Sequence, residues 1–240
     1  MAFSMLDFVG SQISLRCAHN RGMAKFHFVN DGANQSSKLE LPKNGPASGR
    51  LLFCKRECID FEERTSANEI ASLLDCTSWT GAGPGLMDAV TKGALEAGKL
   101  VGGFKISREA GEWTATNFHP YLPSETYLTC RFFSARKHGL VDAAVRNTAA
   151  DRTAVVALPG GIGTLDEMFE VLTLIQLERI GSKLPVPFLL MNYDSFYSKL
   201  LGFLDDCEDW GTVSKGEVAS LWKVCNDNSE ALEYLEKFYN

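Results

Sequence analysis

From about residue 50 onward, two apolar rhythms alternate along the 240-residue chain. Short runs of consecutive apolar residues mark strands buried on both faces. Apolar positions three and four apart mark helices with one inward side. Residues 51–54, 76–80, 100–106, 127–130, 153–158 and 186–191 read as strands, and 66–74, 86–97, 133–146, 165–180, 193–205 and 230–238 as helices. The inward side is Ile70, Leu73 and Leu74 in the first helix, and Met168, Phe169, Leu172 and Ile175 in the helix over 165–180. Strand–helix alternation of this kind predicts an α/β fold, a Rossmann-like three-layer parallel sheet with helices on both faces. Ligands of such sheets lie beyond the carboxyl ends of the strands, so the residues just after each strand carry the chemical information.

The rhythm is absent ahead of residue 50. Met1 to His27 holds one acid, Asp7, against Arg16, Arg21 and Lys25, a composition that suits an organelle transit peptide and equally a disordered extension. Asn30 to Arg50 is rich in Gly, Asn, Ser and Pro and reads as a linker. The expected organisation is an N-terminal extension over 1–49 and one Rossmann-like domain over 50–240. The expected location is the cytoplasm, or a plastid or mitochondrion if residues 1 to about 30 are a transit peptide. Lys plus Arg number 24 and Asp plus Glu 30, a formal charge of −6, which excludes a broad nucleic-acid surface. No apolar run reaches the length of a membrane span. The seven cysteines are scattered, the four histidines form no H-E-x-x-H, and neither set has zinc spacing, so no metal is expected.

Three segments carry candidate chemistry. Leu158-Pro159-Gly160-Gly161-Ile162-Gly163-Thr164-Leu165-Asp166-Glu167 leaves a buried strand and opens a long helix. Its three glycines let the backbone turn sharply and approach a ligand, and the free amides of a helix start favour an anion, with phosphate the natural guest. Thr164 with Glu167 also fits S/T-x-x-E, a capping box that needs no ligand. Gly81-Ala82-Gly83-Pro84-Gly85 is a second glycine turn, a further anion or ribose cradle that matches neither a P-loop nor a dinucleotide fingerprint. Arg136 and Lys137 open the helix whose apolar side is Leu140, Val141, Ala144 and Val145. Cations at a helix start oppose its dipole, so the pair is expected to face something anionic.

In this order the three segments resemble the Lonely Guy (LOG) family of cytokinin riboside 5′-monophosphate phosphoribohydrolases, long labelled lysine decarboxylases. Pro159 to Glu167 matches the family pattern P-G-G-x-G-T-x-x-E, Arg136-Lys137 matches its Arg-Lys pair, and Gly81 to Met87 matches G-G-G-x-G-[IL]-M with Ala82 in place of the central glycine. The resemblance covers about Ser66 to Phe238. The Gly-Ser turn that usually closes the family's first strand has no counterpart ahead of Ser66; Phe53-Cys54-Lys55-Arg56 stands nearest.

The resemblance implies a homodimer that cleaves the N-glycosidic bond of a nucleoside 5′-monophosphate, with no cofactor, metal, nucleic acid or membrane. Arg136 and Glu167 are the implied catalytic pair. Gly160, Gly161, Gly163 and Thr164 are the implied phosphate site, with Lys137, Glu170, Gly81 and Gly83 as further substrate-binding candidates. Bond cleavage builds oxocarbenium character on the ribose, which a carboxylate beside C1′ stabilises or attacks. Glu170 would hold ribose hydroxyls or orient water, and Phe132, Phe133 and Trp113 would bear on base choice. Three other readings share the fold: a nucleotide- or cofactor-binding protein without hydrolysis, a hydrolase of ordinary purine or pyrimidine monophosphates, and a structural or interaction protein that kept the fold alone.

Overall fold

The computed structural model describes residues 64–106 and 122–240, all within the second of the chain's two units, Gly49–Asn240. The expected extension over 1–49, its boundary near residue 50, the strand over 51–54 and Trp113 lie outside the described residues.

A first helix, α1, covers 64–74 among the described residues. There follow β1 (Ser78–Thr80), α2 (Leu86–Glu96), β2 (Val101–Ile106), β3 (Tyr127–Cys130), α3 (Phe133–Ala144), β4 (Val155–Ala157) and α4 (Ile162–Gln176). The chain closes with β5 (Phe188–Met191), a 3-10 turn (Tyr193–Ser195), α5 (Ser198–Asp209), α6 (Glu217–Leu221), β6 (Lys223–Cys225) and α7 (Asn228–Tyr239). The strands form two three-stranded parallel sheets, ordered β1-β2-β3 and β4-β5-β6. The fold is α/β, parallel sheets flanked by helices, as the alternation of rhythms requires.

Strand β5 shows why its run is apolar throughout. Its residues alternate between faces, as a pleated strand must. Phe188 and Leu190 pack in one cluster with Met168, Val171 and Leu172 of α4 and Leu204 of α5. Leu189 and Met191 pack in another with Leu74 of α1 and Ala231 and Leu235 of α7. The strand therefore lies between two helix layers, and no position along it is free to be polar.

The structure departs from the sequence reading in four places. Helix α4 runs from Ile162 to Gln176 rather than over 165–180, because the chain leaves the helix through Glu178 at φ 53°. Ile180 is buried although it lies beyond the helix, which is why its position looked helical. On α4, Phe169 is 37% exposed and Val171 takes the buried place expected for it. The helix expected over 193–205 is broken: Asp194 and Ser195 have positive φ, and the buried side-chain carbonyl of Asn192 accepts the amide of Tyr197 at 2.8 Å, so α5 begins only at Ser198. Finally, α6 and β6 went unread: α6 has five residues, too few for a helical period, and β6 opens on the exposed Lys223, so no apolar run marks it.

A close contact supports the turn after β1. Ala82 has φ 52°, a left-handed conformation that disfavours a side chain, and its Cβ would lie 2.6 Å from a Cβ built on Gly103 of β2. Gly103→Ala is expected to cost about 1–3 kcal/mol by overpacking. Ala82→Gly in the same chain removes the opposing methyl and should recover most of that loss. Urea unfolding of the two single variants and the double variant checks this, and additive losses would refute the contact.

Candidate functional site

The site is assembled from the ends of two strands and the starts of two helices. β4 ends at Ala157, and the carbonyl of Leu158 accepts the buried Tyr197 hydroxyl at 2.6 Å, which anchors the chain where it enters the Pro159-Gly160-Gly161 turn. Gly161 caps α4 with no side-chain cap bond, and the first helical bond is donated by Leu165 to Gly161. The amides of Ile162, Gly163 and Thr164 thus lie in the first turn, ahead of any intrahelical acceptor. Gly161, Ile162 and Gly163 are exposed, and the first turn carries no acid. At Gly160 a Cβ would lie 2.1 Å from the Thr164 hydroxyl oxygen, so the turn closes onto the helix only with glycine there.

The capping box does not form. Thr164 is the third residue inside the helix, and Glu167 reaches across to α3 instead of back to the helix start. Its Oε1 lies 3.0 Å from an Nη of Arg136, which is buried at 7% exposure. The contact is Coulombic, without hydrogen-bond alignment, and the Arg136 Nε has no hydrogen-bond partner among the described residues. A bare surface cation is therefore excluded as the account of Arg136. Its guanidinium lies against the second glycine turn: a Cβ on Gly81 would come within 2.1 Å of Nη2, and the Met87 sulfur stands 3.8 Å from that nitrogen. Gly83 is buried in the same turn. The turn read as a possible anion cradle houses the catalytic candidate's own cation.

Lys137, one residue on, turns to other acids. Its ammonium lies 2.9 Å from Asp166 and 2.7 Å from Glu170. These carboxylates are four apart on α4 and would repel one another on the same helix side without it. His138 stands 3.9 Å from the other oxygen of Glu170. The anion expected opposite the basic helix start is thus present, and it is the protein's own: Asp166, Glu167 and Glu170 against Arg136 and Lys137. Arg136, Lys137, Glu167, Glu170, Gly81 and the Gly160–Thr164 turn come to this one region, whereas Phe132 is exposed and its ring meets Arg131. The ring of Phe133, which touches both cations, was weighed in the sequence only for base choice; its F-x-x-R-K spacing was the available signal.

Burial raises the carboxyl pKa of Glu167, and Arg136 opposes that rise. Lys137 is held more firmly protonated, chiefly by its hydrogen bond to Glu170. Among the described residues no group of three or more His, Cys, Asp or Glu side chains is placed to hold a metal. None of the described helices is long and apolar enough to cross a membrane.

The chain is similar to several known proteins. A family model described as possible lysine decarboxylase matches residues 87–235. The probable cytokinin riboside 5′-monophosphate phosphoribohydrolase LOGL5 of Oryza sativa subsp. japonica is 47% identical over 66 residues, 28% of this chain and 25% of its own. This chain therefore spans about a quarter of that relative's length. Cytokinin riboside 5′-monophosphate phosphoribohydrolase LOG5 of Arabidopsis thaliana is 31% identical over 174 residues, 69% of this chain and 68% of its own. Among solved structures, the molybdenum cofactor carrier protein MCP from Chlamydomonas reinhardtii is similar over 76% of this chain and 88% of that chain, at 18% identity and a TM-score of 0.47, too slight a likeness to bear on function.

Two substitutions test the site as built. Gly81→Ala should displace Arg136 and strand Glu167, costing about 3 kcal/mol in chemical unfolding. Glu167→Gln takes the anion from the buried guanidinium and should also lower stability. An acid whose folded pKa is raised stabilises the fold below its ordinary titration range and loses that contribution as pH rises through the folded value. The parent's advantage in melting temperature over the Gln variant is therefore expected to shrink as pH rises through the Glu167 titration. An advantage that grows with pH would contradict the raised pKa.

Proposed function

This chain belongs to the Lonely Guy family, and from that membership we propose that it is a nucleoside 5′-monophosphate phosphoribohydrolase acting on cytokinin riboside monophosphates. The observation that carries the proposal is the pairing of a buried Arg136 with a half-buried Glu167, one helical turn past an exposed helix start that presents free amides. The family's catalytic residue types thus occur in contact, not merely in sequence order.

In this reading the 5′-phosphate docks on the amides of the Gly160–Thr164 turn, where helix dipole and N–H groups favour a dianion. The ribose then lies toward Glu167. As the C1′–N bond breaks, its electron pair leaves with the base, and positive character grows on C1′ and the ring oxygen. The Glu167 carboxylate stabilises that charge or takes it up as a covalent bond, and water supplies the hydroxyl of ribose 5-phosphate and the proton of the free base. Arg136 keeps Glu167 ionised against its burial and holds its orientation. Lys137 pairs with Asp166 and Glu170 and, with Arg136, opposes the rise that burial and these two acids impose on the Glu167 pKa; Glu170, thus held, faces the ribose from the next turn of α4.

The exposed Ile162 and Phe169, seven apart on α4, support the pairing of two copies across this helix. A sedimentation run showing only monomer at micromolar concentration would count against that pairing.

Incubation with a panel of nucleoside 5′-monophosphates, isopentenyladenosine monophosphate included, should release free base and ribose 5-phosphate. Glu167→Gln should lower kcat by at least about 100-fold, and the activity of the parent should fall on an acid limb lying above the ordinary Glu range. Normal turnover by Glu167→Gln overturns the assignment. A thermal shift on every nucleotide with no base released would favour a binding protein.

A further inference from the structure

Phe133 has no part in the chemistry above, yet it lies at its centre. It is the first residue of α3, so Arg136 and Lys137 follow it by three and four positions, the two spacings that bring side chains over one another on a helix. The Arg136 guanidinium carbon lies 5.2 Å and the Lys137 ammonium 5.7 Å from the centroid of its ring, both within the range in which an aromatic face attracts a cation. The ring also reaches α4, where its Cζ is 3.6 Å from the place a Cβ on Gly163 would take, ordinary van der Waals contact with the exposed turn. One side chain thus touches both cations of α3 and abuts the glycine turn of α4.

We propose that Phe133 is a positioning residue, whose ring holds Arg136 and Lys137 against the carboxylates of α4 and sets the gap between that ion-pair network and the Gly163 turn. The surroundings of Arg136 require something of this kind. Its Nε lacks a hydrogen-bond partner among the described residues, and its contact with Glu167 is not an aligned hydrogen bond. Gly81 backs the guanidinium as a neutral surface, and the Met87 sulfur accepts only a weak hydrogen bond from its Nη2 at 3.8 Å. The aromatic face adds a further attractive contact. Were the ring mere apolar filling, an aliphatic side chain of similar size would serve as well.

The inference rests on the proposed hydrolase only for its kinetic consequence, so the decisive measurement needs no substrate. Glu167 is faced by Arg136 and Lys137 from α3 and by Asp166 and Glu170 on its own helix, with His138 beyond Glu170. In protein carrying 13C-labelled glutamate, with the Glu167 resonance assigned through Glu167→Gln, Phe133→Leu should move the Glu167 titration midpoint upward by about half a pH unit, because the opposing guanidinium is less firmly held. Phe133→Tyr should leave the midpoint in place. In the assay, kcat/KM for the nucleoside monophosphate should fall about tenfold in Phe133→Leu and return in Phe133→Tyr. Equal midpoints in the Leu and Tyr variants, or kinetics alike in both, overturn the proposal. If Phe133→Leu is unfolded, Phe133→Met, apolar and ringless, is read in the same way. A fully active Glu167→Gln enzyme would remove the hydrolase reading and leave the titration to decide on Phe133 alone.

Discussion

A guanidinium 7% exposed cannot remain without an anion beside it. That constraint organises the functional half of this molecule. Arg136 needs Glu167, so α3 and α4 must meet near their N-terminal ends. It also needs room against the chain beyond β1, so residue 81 must lack a side chain. The second glycine turn follows from the same demand: its backbone forms the wall on which the guanidinium lies. Ala82 occupies a left-handed conformation within it, and Gly103 of the neighbouring strand yields the space its methyl takes. The buried cation thus accounts for the glycine at 81, and the methyl of Ala82 for the glycine at 103.

The pair leaves Glu167 under opposed influences. Burial disfavours its charged form and Arg136 favours it, with Asp166 and Glu170 on one side of the balance and Lys137 on the other. A carboxyl so poised is the kind of group that active sites create, because a large environmental shift one way is held in check by a specific partner. Such poise has a cost in stability, the familiar exchange between a reactive site and a relaxed fold.

Much of this was legible in the sequence, for identifiable reasons. The run from Phe188 to Met191 and the stripe through Met168 and Leu172 are enforced by burial on both sheet faces, and burial writes itself into residue type. The nine residues from Pro159 to Glu167 named the turn and its carboxylate, and the unfavourable position of Arg136 and Lys137 at a helix start announced anions opposite. What stayed hidden had no residue pattern to show it. The break at Asp194 depends on the Asn192 side chain accepting an amide five residues on, a five-residue helix has no period to detect, and β6 opens on an exposed lysine instead of an apolar run. The capping box was misleading for a different reason: Thr164 and Glu167 satisfy a local rule, but a cation 31 positions earlier claims the carboxylate.

That competition bears on how the site attracts its ligand. Lys137 is engaged by Asp166 and Glu170, and Arg136 by Glu167, so three carboxylates already face two permanent cations before any phosphate arrives. In the proposed reading, side-chain charge at this spot is therefore not what would draw a dianion in. The attraction would come from the exposed amides of α4's first turn and from its dipole, in a segment kept free of acids and of side chains at Gly161 and Gly163. The basic pair then has a separate task, that of holding acids in place. A division in which backbone binds and ion pairs orient would explain why the turn is glycine where it is exposed, and why the cations beside it are engaged by acids.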